Sequence, residues 1–443
     1  MLMPTLALAV IPLGETLTPI TTMPEEVRPE RTDWITWSPD GSRVALTGVV
    51  DDETVPMWTD DEGWHQAKAF DYINKPVFSD DSAHVAFSAG KAVSKKKETW
   101  SVLLDGKSLG KEDWIGPVAF LPGTDTPVYW TQPGAKLDRN GAYSGGAYVL
   151  RVGKKKGKKW KGMGSLLSLS FARDGSVVGS LAPDGTGWTV LLATKKKQKN
   201  EERLVNFSSG LTLSADGKAW AFGELVMDVT SDPATWDPPG IPPSRWNVRR
   251  GEEAVGMEFQ SADMPVFAPT GERLAFRVMG KDGMGVVIEG VPAAAIDHDY
   301  VSKIVWEEPG NGVAAGDEGL AFIAIATDED LGASPVRGIS APIEGKFSVV
   351  TLDGVGALKK GGQPFDGIAD LVIATGGATR RNLAYRARDG FDWILVHEWL
   401  DDEGLHMSRS KPYRAVGAPV FTPTGVAAGV YKDGEFSWLE LTR

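Results

Sequence analysis

The chain has 443 residues, 42% of them hydrophobic, with 47 lysines and arginines against 59 aspartates and glutamates. The net charge of −12 gives no general attraction to nucleic acid, so a nucleic-acid partner is not expected. There is no cysteine, which excludes disulfides, thiolate metal sites and a cysteine nucleophile.

The N-terminal segment contains an apolar run from Leu6 to Leu13. The run is too short to span a membrane, and it lacks the basic flank of a secretory signal peptide. We therefore interpret it as part of a strand and expect a soluble, monomeric protein without a membrane span. The sequence favours the cytoplasm over the periplasm or the cell exterior.

The first clear element is a hairpin at 37–46, with the sequence WSPDGSRVAL. Trp37 ends one strand, and Val44 opens the next. Between them, Pro39 fixes φ at the corner, Asp40 can accept hydrogen bonds from nearby backbone, and Gly41 tolerates a positive φ. This pattern predicts a β-hairpin.

The hairpin recurs nine times, about every 40 to 60 residues, which is the signature of propeller blades. The turn markers of the nine copies are Gly41, Ser82, Gly123, Gly175, Gly217, Gly271, Gly319, Gly377 and Gly425. The repeat units begin near residues 34, 76, 117, 166, 211, 265, 304, 370 and 419.

A third strand with alternating apolar positions follows each hairpin, whereas fourth strands are weaker and include 111–115, 203–207 and 296–304. The ninth unit stops after its third strand, so we expect residues within 1–33 to supply the missing strand and close the ring. The sequence thus predicts an all-β fold with 1–443 as one closed propeller of four-stranded blades. Nine blades are favoured, and eight are possible if one loose copy elaborates its neighbour.

The repeated hairpin with its following W-x-V-x-x-D-G strand resembles the WD40-like, TolB-type propeller repeats over about 34–443. It is also similar to the propellers of the prolyl oligopeptidase and dipeptidyl peptidase families. Their hydrolase domain has no counterpart here, since no G-x-S-x-G motif is present. The resemblance implies a binding scaffold and not a peptidase.

Lysine-rich clusters stand between the expected third and fourth strands of two adjacent units, where they should project side by side. They could bind an anionic partner, although exposed lysines also protect strand edges. The residues of this anionic-partner patch are Lys154, Lys155, Lys156, Lys158, Lys159, Lys195, Lys196, Lys197 and Lys199.

Three connections between second and third strands are long, at 131–146, 227–245 and 327–346. In a propeller we expect them to rise from one face, around the mouth of the channel, where long loops commonly carry function. The candidate partner-binding residues are Arg139, Tyr143, Trp236, Arg245, Trp246 and Arg337. Their side chains suit recognition of a protein or peptide.

No catalytic, metal or cofactor site is expected. The five histidines His65, His84, His298, His397 and His406 lack metal-ligand spacing, and the acidic runs at hairpin tips lack a calcium-loop pattern. We therefore interpret the protein as a non-catalytic scaffold for a protein or peptide partner. Two alternatives remain open: a hydrolase or lyase with its site at the central channel, and a receptor for a small ligand or glycan.

Overall fold

The computed structural model describes most of the repeats. Its described residues are 9–10, 14–94, 97–138, 143–162, 168–184, 187–194, 198–204, 210–228, 230–232, 234, 243–271, 273–279, 283–291, 296–308, 318–326, 347–352, 358–359, 365–374, 381–401 and 404–442.

Within these residues the backbone forms β-strands and no α-helix, with one 3-10 turn at Thr32–Trp34. The strands of the first half are β1 Ala9–Val10, β2 Glu15–Thr22, β3 Arg28–Pro29, β4 Thr36–Trp37, β5 Val44–Val50, β6 Glu53–Asp60, β7 Gly63–Gln66, β8 Tyr72–Ile73, β9 Val77–Phe78, β10 Val85–Ser94, β11 Lys97–Leu104, β12 Lys107–Ser108, β13 Ile115–Phe120, β14 Pro127–Thr131, β15 Lys136–Leu137, β16 Tyr143–Ser144, β17 Tyr148–Val152, β18 Lys155–Trp160, β19 Ser170–Phe171, β20 Val178–Asp184, β21 Gly187–Ala193 and β22 Gln198–Leu204. Those of the second half are β23 Thr212–Leu213, β24 Trp220–Met227, β25 Ser244–Arg250, β26 Glu253–Phe259, β27 Ser261–Phe267, β28 Leu274–Met279, β29 Met284–Ile288, β30 Ile296–Trp306, β31 Leu320–Ala326, β32 Phe347–Leu352, β33 Leu358–Lys359, β34 Gly367–Ile373, β35 Asn382–Asp389, β36 Asp392–Asp401, β37 Gly404–Arg409, β38 Ala415–Val416, β39 Val420–Phe421, β40 Gly425–Lys432 and β41 Glu435–Thr442. In this part of the chain no helix is long and apolar enough to cross a membrane.

The strands build the nine four-stranded antiparallel blades of a β-propeller, as the sequence predicts, and the alternative of eight blades is wrong. Within a blade the strands pair in chain order, beginning with the innermost strand. The chain divides into two compact units, one made of 17–205 with 429–438 and the other of 1–16, 206–428 and 439–443.

The unit of 17–205 and 429–438 contains blades 1 to 4, whose second strands are β5, β10, β14 and β20. Within this unit, β10 is buried on both faces because blade 2 packs between blades 1 and 3. In β10, Val85 and Phe87 pack against Trp58 of blade 1, whereas Ala86 packs with Tyr129 of blade 3. Successive side chains of the strand point to opposite faces of the blade, so they pack into two core layers, one on each side.

The unit of 1–16, 206–428 and 439–443 contains blades 5 to 8. Blades 6 and 7 form one seven-stranded sheet because they share β30. The start of this strand pairs with β29, where Met284 lies opposite His298, and its later residues pair with β31 as far as Trp306 opposite Leu320. One strand is therefore the outer strand of blade 6 and the inner strand of blade 7.

The ninth blade takes its outer strand from the N-terminal segment. The strand order is β2-β41-β40-β38, with β39 also paired to β40, so residues 15–22 supply the fourth strand of this blade. Backbone hydrogen bonds extend the pairing at both ends, from Met23 N to Gly434 O at 2.9 Å and from Thr442 N to Gly14 O at 3.5 Å. The prediction that the N-terminal segment completes the last blade is confirmed.

The repeated turn motif is explained by a small hydrogen-bond network. In blades 1, 2 and 5 a serine hydroxyl donates to the aspartate two residues on, at 2.6, 2.5 and 2.7 Å, and accepts from a backbone N–H five residues on. The marker residue adopts a positive φ at Gly41, Ser82, Gly123, Gly175, Gly217 and Gly271. Gly319 and Gly425 show no positive φ, and Gly377 lies outside the described residues.

These turns make a prediction about pH. The Lys218 backbone N–H and the Ser214 hydroxyl hold the pKa of Asp216 at about 2, below its ordinary value of 3.8. Because the folded pKa is depressed, the ionised carboxylate contributes stability above the unfolded pKa, and this contribution is lost as the pH falls through the folded pKa. We expect Asp216→Asn to lower the unfolding midpoint near neutral pH, with the difference from the native chain shrinking between pH 4 and 2. Thermal unfolding of both chains across that pH range measures this difference. A difference that stays constant with pH would show that the Asp216 carboxylate is not its source.

Candidate ligand-binding recess

A recess of about 840 Å³ lies along the innermost strands β4, β9 and β13 of blades 1 to 3. Its walls are largely apolar and include Trp37, Phe78, Trp100, Trp114 and Val118. Asn74, Lys75 and Ser88 supply polar groups, and the Asn74 side-chain amide donates to the Ser88 hydroxyl at 3.1 Å. An apolar recess with a few convergent polar groups is the usual form of a ligand site.

The shape of these innermost strands follows from a short repeated motif. Pro76-Val77-Phe78 stands between β8 and the next turn, Pro265-Val266-Phe267 and Pro419-Val420-Phe421 recur in blades 6 and 9, and blade 3 has Pro117-Val118-Ala119-Phe120. The strand breaks or shifts register at the proline, for example between Ile115 and Val118. Proline has no backbone N–H to donate, so it suits an edge strand at a bulge. The sequence reasoning missed this signal, although its recurrence was visible.

An aromatic platform adjoins the recess, whose wall contains Trp100 and Trp114, and Tyr72 stacks on Trp100. The Trp100 ring lies over Gly90, where a Cβ would come within 2.7 Å of the indole, so only glycine leaves room for it. Tyr72 stacks on Trp100 with ring centroids 6.0 Å apart and planes at 15°, and it remains 46% exposed. The other face of the tyrosine ring is therefore available to a ligand.

The insertion of blade 3 reaches this platform. Its described ends form the hairpin of β15 and β16, held by the Gly134 N–H donating to Asp113 at 2.7 Å and by the Gln132 amide donating to Gly145 O at 2.7 Å. Tyr143 donates its hydroxyl to Glu98 and accepts from Trp100 Nε1 at 2.8 Å. The predicted partner-binding residue Tyr143 thus lies beside the recess, fixed by blade 2.

A second, polar recess of about 520 Å³ lies at the hairpin tips of blades 1 and 2. Its lining includes Asp40, Asp60, Asp81 and Asp105, and Arg43 crosses it to donate to Ser82 O at 2.9 Å and Ala83 O at 2.6 Å. The aspartates hold turns together, and Asp105 also pairs with His84 at 2.7 Å. In the described part of the chain no group of three acidic or histidine side chains is arranged to hold a metal ion.

The other predicted partner-binding residues lie elsewhere or outside the described residues. Arg245 and Trp246 are in β25 of blade 5, where Arg245 is exposed and Trp246 packs against the core beside Phe276. Arg139, Trp236 and Arg337 lie outside the described residues, as does the whole connection 327–346. Their role in binding stays a prediction.

The lysine cluster of blade 3 lies mainly within the outer strand, and not between the third and fourth strands as expected. Lys155, Lys156, Lys158 and Lys159 belong to β18, the outer strand of blade 3, and Lys154 is in the turn before it. Lys199 is exposed in β22, the outer strand of blade 4, and Lys195, Lys196 and Lys197 lie outside the described residues. An anionic partner for this patch also stays a prediction.

Three of the histidines lie in aromatic or polar packing. His397 is fully buried and 2.9 Å from Asn382 Oδ1, His406 pairs with Asp401 at 2.7 Å, and His298 lies edge-on to Phe322. In the same blade as His397, Arg381 donates to the fully buried Glu398 at 2.8 and 2.5 Å. The contacts of His397, His406 and Arg381 lie within blade 8, and that of His298 lies between β30 and β31.

Comparison with known proteins identifies no family. No family model and no curated protein matches the chain. Solved structures similar to it include a eukaryotic initiation factor (TM-score 0.48, 11% identity, 89% of this chain and 88% of that one) and the β-propeller domain of the Trilobed protease from Pyrococcus furiosus (0.40, 13%, 76% and 97%). TolB from Acinetobacter baumannii is a third (0.31, 11%, 85% and 63%). The fold itself defines the class of the chain, a β-propeller of nine blades.

Proposed function

We propose that this chain is a non-catalytic binding propeller that holds an extended peptide segment of a partner protein in the recess of blades 1 to 3. The observation that carries this proposal is the recess itself, with its tryptophan-rich wall along three innermost strands. Tryptophan and tyrosine are enriched among the residues that dominate binding energy at interfaces.

The form of the recess supports a peptide as the occupant. β4, β9 and β13 each pair with a single strand, so the opposite edge of each is unpaired within the described residues. An extended peptide can use such an edge for main-chain hydrogen bonds while its side chains enter pockets. β13 is the longest of the three and has the most backbone to offer.

The lining favours binding over acid–base catalysis. Of the described residues that line the recess, Lys75 is the only one with a side chain that titrates. A general acid and base pair needs two such groups near the reacting atoms. The alternative of an enzyme with its site here has no support from this lining.

The test is selection of peptides from a phage-displayed library on the immobilised full chain, followed by affinity measurement by fluorescence polarisation. We expect Trp114→Ala to lower the affinity for the selected peptides by about tenfold or more, because the indole is part of the wall of the recess. Phe391→Ala is the matched control, since this ring is 86% exposed in a turn of blade 8. Trp236→Ala with Arg245→Ala tests the blade 5 insertion instead.

Peptides that bind Trp114→Ala as tightly as the native chain would contradict the assignment of the recess. Loss of binding only in the Trp236 and Arg245 double variant would move the site to blade 5. Failure to select any saturable peptide would contradict peptide binding itself.

A further inference from the structure

We infer that the aromatic platform beside the recess takes a cationic side chain, a lysine or arginine, of the bound segment. This inference rests on the proposed function for its source of the cation, and it names the chemistry of the partner. It depends on three features: an exposed ring face, a buried carboxylate beside it, and the absence of a counter-ion for that carboxylate among the described residues.

The carboxylate is Glu98, which is 7% exposed. Its Oε2 accepts from Trp100 Nε1 at 3.0 Å and from the Tyr143 hydroxyl. All of these donors are neutral, and none of the ion pairs formed among the described residues involves Glu98. A buried charge is costly unless a counter-charge or good hydrogen bonds compensate it, so a ligand cation would relieve this cost.

Two ion pairs lie beside the platform residues, and Glu98 belongs to neither. Lys91 Nζ lies 3.5 Å from Asp71, and Asp71 also accepts from the Ala92 N–H at 2.7 Å. Arg151 of blade 3 pairs with Glu112. Neither of these cations is paired with the Glu98 carboxylate.

The negative field of Glu98 reaches the exposed ring. Its charge is the main cause that raises the pKa of the Tyr72 phenol above its ordinary value, followed by desolvation. A cation over the outer face of Tyr72 would be attracted both by the ring and by this carboxylate. Such cation–π contacts are stronger the more the cation is shielded from water.

The sequence supplies the rigid parts that such a site needs. Gly90 lets the Trp100 ring lie against β10, and the backbone of Trp100 is fixed by two hydrogen bonds with Glu112, at 2.8 and 2.9 Å. Tyr143 is brought to the same place by the blade 3 insertion. The platform is therefore formed before a ligand arrives, which lowers the entropic cost of binding.

The experiment uses two small probes, N-acetyl-arginine amide and its neutral isostere N-acetyl-citrulline amide, titrated into the full chain by ligand-observed NMR. We expect the arginine probe to bind about tenfold more tightly than the citrulline probe. Glu98→Gln should remove this difference, whereas Asp52→Asn, which removes an equal charge at a side chain 97% exposed, should preserve it. The preference should also weaken with added salt.

Tyr72→Leu provides a second variant should Glu98→Gln fail to fold, since the tyrosine is half exposed and its loss leaves the core intact. Tyr72→Leu should weaken the binding of the arginine probe, whereas Phe391→Leu should leave it unchanged. Equal binding of the two probes, or an unchanged preference in Glu98→Gln or Tyr72→Leu, would overturn the inference. Because these probes are not peptides, this result is independent of the library selection: apolar peptides could still bind if the cation site fails, and the cation site could stand if no peptide is selected.

Discussion

Deleting residues 1–25 is expected to destabilise the protein by about 4 kcal/mol or more and to make it aggregate. The deletion removes β2, the outer strand of blade 9, and leaves β41 as an unpaired edge. Side chains of β2 are largely exposed, so the effect should come mainly from lost backbone pairing and from the new edge, and less from lost apolar burial. The measurements are the urea midpoint and light scattering against the full chain.

A matched control separates the strand from its side-chain contacts. Glu15 in β2 accepts from the Tyr413 hydroxyl and from the Lys411 N–H at 3.3 Å. Glu15→Gln keeps the strand and weakens only these bonds, so it should cost about 1 kcal/mol and cause no aggregation. A truncated chain that is monodisperse and unfolds at the native midpoint would refute the closing role of the strand.

Arg381→Met is expected to lower the free energy of unfolding by about 3–5 kcal/mol. The Arg381 side chain is 7% exposed and pairs with Glu398, whose side chain is 0% exposed. Without the guanidinium, the buried carboxylate keeps only the Tyr385 hydroxyl among the side-chain donors described for it. The measurement is the midpoint of chemical unfolding.

Two further variants distinguish a stranded charge from lost packing. The double variant Arg381→Met with Glu398→Leu removes both charges and should recover much of the lost stability. Arg31→Met breaks the exposed pair of Arg31 with Asp33, whose side chains are 51% and 54% exposed, and should change the unfolding midpoint far less than Arg381→Met does. A double variant no more stable than Arg381→Met would show that the ionic pair itself is not the source of the loss.

The sequence predicts the hairpins and third strands well because their residues follow strong local rules. The serine, proline, aspartate and glycine of 38–41 each fit one position of a turn. Third strands such as 392–398 contain a run of apolar residues because both faces are buried. Outer strands were harder to predict. β18 is a run of lysines ending at Trp160, and an exposed edge strand has no buried face to impose a pattern of period two.

The recess could not be predicted from local patterns, since its parts are distant in the sequence. Tyr143 was predicted as a binding residue, but its contact with Glu98, 45 residues earlier, depends on the packing of blade 3 on blade 2. Gly90 is informative only once Trp100 is placed opposite it in the neighbouring strand. Trp246 was predicted on the same compositional grounds, and it lies against a core.

The strand Ile296–Trp306 has a consequence for how blades 6 and 7 come apart. Most adjacent blades are joined by a connection that can open while both sheets stay intact, but these two have a strand in common. A protease cut within it would break the central strand of the single sheet that the two blades form. Amide protons on both blades should therefore exchange with solvent in a single concerted event, making this pair the slowest-opening segment of its unit.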